Sequence, residues 1–457
     1  MTGPARGGAP QERIAARTKL VFGLGDHTLN FSLSSLSLFY LFFLTEIAEL
    51  RPALAGSVLL VGRFVDGFTD PVMGRLSDLT PWRWGRRRPY FVIGMVPFGV
   101  CFGLLWGALP FETQLAKFAY YAALYALYSV ASTVLAVPYT ALIPELTSDY
   151  QERTSVNTFR SALAILGTLL AAVGTKQLAE SLGGGVGGYS AMGVIAGVWV
   201  MLPWFAVYRV TWERSNFRRE VSTGFLDALK GIARHRSYQR LLGLYLFGRM
   251  AMDLVGAMLV FYFTYWIRRP DHVEITLAVL LLTVVASLPF WLRISTRVDK
   301  RTLFIIGTSW WVVFQLSLLV AGPGWPAWTL FAFAALIGIG YAVTDLIPWA
   351  MLGEVVDEDE LSTGERREGM YAGFMTFVRK LAGASGVWVA GLVLDLAGYV
   401  GGQPEQADSA LQAIRGLTGA APALLLAIAA TIAIGYPLGR ARHREILAAL
   451  SARRAKP

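Results

Sequence analysis

Residues 62–90 read Gly-Arg-Phe-Val-Asp-Gly-Phe-Thr-Asp-Pro-Val-Met-Gly-Arg-Leu-Ser-Asp-Leu-Thr-Pro-Trp-Arg-Trp-Gly-Arg-Arg-Arg-Pro-Tyr. The first part closes an apolar stretch that begins near residue 53, and it carries two acids, Asp66 and Asp70, inside that stretch. A tight basic turn, Arg83 to Arg88, follows, and a new apolar stretch opens at once. An apolar helix, a short basic turn and a second apolar helix are the pattern of a chain that threads a membrane repeatedly.

The pattern extends over nearly all of the 457 residues, of which 55% are hydrophobic and 16% charged. An ordinary soluble domain carries about 25% charged residues. Apolar runs of roughly 20 residues each suffice to cross a hydrocarbon core about 30 Å thick as helices, and they are far too long for barrel strands. Spans are expected near 18–44, 53–77, 90–109, 115–143, 156–180 and 188–210, then 238–267, 273–292, 302–321, 327–352, 369–397 and 415–438. The reading is an all-α membrane protein of twelve helices in two six-helix bundles, 18–210 and 238–438. A linker at 211–237 joins them, with tails at 1–17 and 439–457.

The net charge of +10 does not imply a nucleic-acid partner, because the Lys and Arg residues sit in short loops between apolar runs. Those loops alternate. Arg83–Arg88, the linker, Arg293–Arg301, Arg366-Arg367 and the tail from Arg440 are basic, whereas the intervening loops carry little charge. The positive-inside rule then places both termini and the linker in the cytoplasm of a cell whose plasma (inner) membrane holds the chain. Cys101 is the single cysteine, which excludes a disulfide within one chain. A weak repeat, Asp78 before Arg83–Arg88 and Arg297-Val298-Asp299-Lys300-Arg301, supports two related halves, the usual build of a secondary transporter.

Ionisable residues at bilayer depth are costly and therefore informative. Asp66, Thr69 and Asp70 share one face of helix two. Two carboxylates and a hydroxyl are hard oxygen ligands suited to a small alkali cation, and close carboxylates also suit a proton. Arg63 is the local structural partner and a coupling candidate. Arg160, Arg249, Asp253, Asp345 and Lys380 are further charges within spans, and Arg249 and Asp253 are four apart, a spacing for a local pair. Lys380 has no acid at helical spacing, so it competes with a cation for the helix-two acids or extends to the cytoplasmic surface. Asp26-His27 in helix one is either a proton path or a satisfied structural contact.

Residues 66–74 with 83–90, Val137-Pro138-Tyr139-Thr140-Ala141-Leu142, Ile347-Pro348-Trp349-Ala350-Met351 and Gly364-Glu365-Arg366-Arg367-Glu368-Gly369 resemble the glycoside–pentoside–hexuronide:cation symporters of the major facilitator superfamily. The resemblance to melibiose carriers implies sodium held by Asp66 and Asp70 with Thr69 and Thr133, coupling through Lys380, and a sugar contact at Arg160. Asn30, Tyr139, Asp345 and Thr376 complete the substrate candidates. Asn30, Ala136 and Thr140 stand where those carriers have sugar-binding aspartates and a stacking tryptophan, so the galactoside site is not reproduced. Leu288-Pro289-Phe290-Trp291 and the stretch 394–405 also look like the sodium-dependent lysophosphatidylcholine symporters. The expectation is a monomeric symporter, not an enzyme, without cofactor, moving a small sugar-like solute with sodium, lithium or a proton. The alternatives are an amphiphile as cargo, or uncoupled exchange.

Overall fold

The computed structural model describes residues 13–80, 82–147, 149–213, 235–365 and 367–454. Most of the expected linker, including Arg214 and Phe217 to Glu220, most of the N-terminal tail, and Arg366 lie outside the described residues. The helices are α1 (Ala16–Phe42), α2 (Pro52–Leu79), α3 (Pro89–Leu105), α4 (Gln114–Leu146), α5 (Tyr150–Ser181) and α6 (Gly185–Val210). They continue as α7 (Arg236–Phe261), α8 (Val273–Ser295), α9 (Lys300–Ser317), α10 (Ala327–Thr363) and α11 (Glu368–Leu396). A broken twelfth span consists of α12 (Asp408–Thr418) and α13 (Ala420–Ile434), and α14 (Arg440–Arg454) closes the chain. No strand occurs among the described residues.

Nine of the described helical segments are long and apolar enough to cross a membrane. The remaining three spans have local reasons for standing apart: α3 has 17 residues, α2 carries its buried charges, and α9 opens with Lys300 and Arg301. Helix ends follow ordinary chemistry. Asp149 caps α5 by accepting the amide of Glu152 at 2.8 Å, and Gly364, at φ +79°, ends α10 where a side chain would strain the backbone. Helix ten runs about three turns beyond its expected end, because Glu354 to Asp359 find basic partners instead of leaving the helix.

Helices one and seven end alike. Each passes from α-helix into one π-helical turn, Phe43–Ile47 and Tyr262–Trp266, and each reaches a left-handed non-glycine residue two positions later, Glu49 and Arg268. The backbone bonds repeat as well: Ala48 to Phe43 and Leu50 to Leu44 correspond to Ile267 to Tyr262 and Arg269 to Phe263. Such turns are rare, so their recurrence marks an internal repeat more specifically than the basic loops do.

The chain forms two compact units. One comprises residues 1–36, 64–110 and 119–220, the other 37–63, 111–118 and 221–457. In the first, α3 and α6 pack through glycines: a Cβ on Gly99 would meet the carbonyl of Gly197 at 2.5 Å, and one on Gly103 that of Gly193 at 3.0 Å. Small residues four apart on both helices let the backbones touch where lipid offers no hydrophobic drive. In the second unit α9 and α10 use the same device, with Gly340 facing the carbonyl of Gly307 at 2.7 Å.

In the second unit the C-terminal end of α1 is also tied down. Glu46 accepts hydrogen bonds from the hydroxyls of Tyr265 (2.6 Å) and Tyr399 and from the amide of Gly402 (3.1 Å). Arg51 grips Asp395 through two bonds of 2.8 and 3.2 Å, and that carboxylate holds its guanidinium above the ordinary arginine range.

Candidate functional site

Helix two runs unbroken through Pro71 and buries Asp66, which is 4% exposed. One turn further, the hydroxyl of Thr133 on α4 donates to Asp70 Oδ1 at 2.7 Å, and the Thr69 hydroxyl lies 3.3 Å from that of Thr133. Thr69 also lies 3.0 Å from the carbonyl of Val65. Four predicted cation-site residues thus occupy adjoining turns of the first unit, and Thr69, Thr133 and Asp70 form one hydrogen-bonded string. A string of oxygens ending in a carboxylate, with a second buried carboxylate one turn away, is a donor set for a hard monovalent cation. Arg63 precedes Asp66 on the same helix, at the end of a segment belonging to the second unit.

Arg160 on α5 is fixed by Asp26 of α1. Its Nε lies 2.5 Å from Asp26 Oδ2 and its Nη2 3.2 Å from Oδ1, while Nη1 donates to Asn157 at 3.0 Å. Both side chains are about 15% exposed. Tyr139 is wholly buried; its hydroxyl lies 2.9 Å from Asp26 Oδ2 and its ring lies under the guanidinium at 5.0 Å. Tyr139, expected to touch substrate, is thus sealed inside the unit, its hydroxyl also donating to the carbonyl of Phe22 at 2.7 Å. Asn30 bonds back to the carbonyl of Asp26 at 2.8 Å.

Sequence reasoning singled out Arg160 and Asn30 and passed over Asp26 as the cluster's acid. Its neighbour His27 is a structural contact: Nδ1 meets the carbonyl of Leu163 and Nε2 accepts from the Trp199 indole, both at 3.3 Å.

In the second unit, Arg249 holds Asp253 through bonds of 2.8 and 3.2 Å, the local pair that their spacing suggested. Asp345 lies 3.6 Å from Arg249. Thr376 bonds back to Ala372 at 2.9 Å, and Lys380 is half-buried on α11.

Charged networks flank the helix ends. In the first unit the basic turn after α2 folds onto Glu145 at the end of α4: Arg86 reaches it at 2.6 Å, while Arg87 binds both Glu145 and Asp78. The amides of Arg86, Arg87 and Arg88 converge on the carboxylate of Glu213 at 2.7–2.8 Å, a backbone nest for an anion filled from the chain itself. In the second unit Lys300, from the corresponding turn, binds Glu354 near the end of α10 at 3.0 Å. Asp359 chelates Arg367 and holds its guanidinium above the ordinary range.

A family model described as MFS/sugar transport protein matches residues 21–440. An uncharacterised symporter of Synechocystis sp. is 30% identical over 97% of this chain and 98% of its own length. The sodium-dependent lysophosphatidylcholine symporter 1-A of Danio rerio is 26% identical over 95% and 88%. A solved structure of a bacterial homologue of the human lysosomal transporter Spinster shares the fold with a TM-score of 0.70, covering 95% of this chain and 99% of that one at 12% identity. The chain therefore belongs to the MFS/sugar transport protein family, and it is an integral membrane transporter of the major facilitator fold, not an enzyme.

Proposed function

We propose that the protein is a cation-coupled symporter that binds sodium, or lithium in its place, at Asp66, Asp70, Thr69 and Thr133 and moves a small polyhydroxylated solute with it. The observation that carries this reading is the Thr69–Thr133–Asp70 string beside the buried Asp66. Two acids in an apolar helix are costly until a cation neutralises them, so occupancy favours whichever state of the alternating-access cycle accepts solute. Asp26 and Arg160 supply acceptors and donors for hydroxyl groups, and the sugar-transport description of the matching family supports a glycoside-like cargo. We also propose Lys380 as the residue that couples cation binding to solute movement, a role tested by its substitution.

The test is a solute screen by thermal unfolding of the purified protein, with and without sodium. A glycoside should raise the unfolding temperature, and more so in sodium, because a ligand of the folded state stabilises it by mass action. Stabilisation by lysophosphatidylcholine alone would transfer the cargo to the amphiphile class named for the Danio rerio relative. Equal shifts with and without sodium would remove the coupling.

A further inference from the structure

The turn from α8 to α9 in the second unit corresponds to the basic turn after α2, but it disposes of its charge differently. After α2 the chain provides its own anions, with Glu213 in the nest of amides and Glu145 and Asp78 against the guanidinium groups. After α8 part of the charge is also satisfied from within. Lys300 holds Glu354 and the carbonyl of Ala350, Arg301 donates to the carbonyl of Tyr436, and Arg440 of α14 donates to the carbonyls of Thr296 and Arg297. Arg293 and Arg297 stand apart: both are exposed, and among the described residues neither guanidinium meets an acid or a hydrogen-bond acceptor.

These two arginines line a cavity of about 530 Å³, open to the surface, together with Leu292, Ile294, Thr296 and Val298. Its place on the fold limits what enters it. Leu282, Val285, Phe290 and Leu292 are exposed apolar residues of α8, and Arg293 falls at helical spacing from the exposed Leu282, Ala286 and Pro289, at the end of the same face. An apolar face left exposed on a membrane-spanning helix is covered by acyl chains. The cavity therefore lies where acyl chains give way to headgroups, on the side of the basic turns.

We propose that this cavity seats the headgroup of one anionic phospholipid, with its phosphodiester between Arg293 and Arg297 and its acyl chains along the exposed face of α8. Guanidinium groups match the oxygens of a phosphate, and basic pockets at the membrane surface select anionic headgroups. A zwitterionic headgroup brings an ammonium that the two arginines repel, so phosphatidylglycerol is preferred over phosphatidylcholine. Leu292 and Ile294 line the same cavity and give a lipid, but not a free phosphate, an apolar contact. The lipid then does for the second unit what Glu213 does for the first: it neutralises a basic turn.

The experiment is native mass spectrometry of the delipidated full-length protein titrated with phosphatidylglycerol or phosphatidylcholine. Wild type should retain a first phosphatidylglycerol at concentrations where phosphatidylcholine is lost. Arg293→Gln with Arg297→Gln should weaken that retention at least about tenfold, and Arg293→Lys with Arg297→Lys should keep most of it. Arg442→Gln with Arg444→Gln, which removes the same charge from the exposed side of α14, should leave it unchanged. Equal retention of the two lipids, or an equal loss in the α14 variant, would reduce the effect to diffuse attraction and overturn the proposal. Displacement of the lipid by an equal concentration of glycerol phosphate would make this a site for soluble anions and overturn it as well. The arms that use wild type decide the matter even where the glutamine variant does not fold.

Discussion

Thr133 is the residue on which the cation site can be graded. Its hydroxyl donates to Asp70 at 2.7 Å, and a hydrogen bond to a charged group is worth about 1.5–3 kcal/mol. Thr133→Ala should weaken sodium binding by roughly an order of magnitude, and Thr133→Ser should restore most of it, as read from sodium titrations of the purified protein. Arg160 makes a harsher test. Removing it strands Asp26, largely buried among Arg160, Tyr139 and Asn30, so Arg160→Ala should cost about 3–5 kcal/mol in unfolding experiments. The double change Asp26→Ala with Arg160→Ala should recover much of that loss, because it leaves no unpaired charge. Equal instability of single and double variants would mean that the pair is not the source. The Asp26–Arg160 contact was illegible in the sequence because 134 positions separate its partners. Helical spacing reveals pairs such as Arg249–Asp253, three or four apart, and nothing comparable marks an acid on α1 that meets a base on α5.

At the scale of elements, a helix stands at each span that the hydropathy pattern predicts, because chain length in hydrocarbon is a coarse constraint that composition alone satisfies. What it missed are ends and breaks: the π turns closing α1 and α7, the extension of α10, and the interruption of the twelfth span at Gly419. These depend on particular partners, not on mean polarity. Glu213 is the clearest instance, since its bonds go to three backbone amides that carry no sequence signature. Glu213→Ala should free the turn at 82–88 and leave three amides to find water, at a cost of about 1–3 kcal/mol. Limited proteolysis should then cut after Arg86–Arg88 in the variant and spare the wild type, with Glu213→Gln intermediate. Near the N-terminal end of α2, a Cβ on Gly56 would meet the Cα of Trp388 at 2.9 Å. Gly56→Leu should therefore lower stability through backbone displacement, whereas the same change at Gly373, with open space around it, should not.

For the molecule as a whole, the proposed coupling requires that the helix-two acids always find a positive charge, either a cation or a basic residue of the chain. If Lys380 fills that role, Lys380→Ala should abolish uphill solute accumulation by proteoliposomes while sodium-independent exchange persists, and Lys380→Arg should retain part of it. Unchanged accumulation in Lys380→Ala would remove the lysine from the cycle. The most direct test of the helix-two site is binding of radioactive sodium to the purified protein without any solute, compared for wild type, Asp66→Asn, Asp70→Asn and Asp345→Asn. Wild type and Asp345→Asn should bind sodium saturably, with lithium competing, and each helix-two variant should lose that binding while remaining folded. Saturable sodium binding that survives in both Asp66→Asn and Asp70→Asn would contradict the assignment of the cation to helix two.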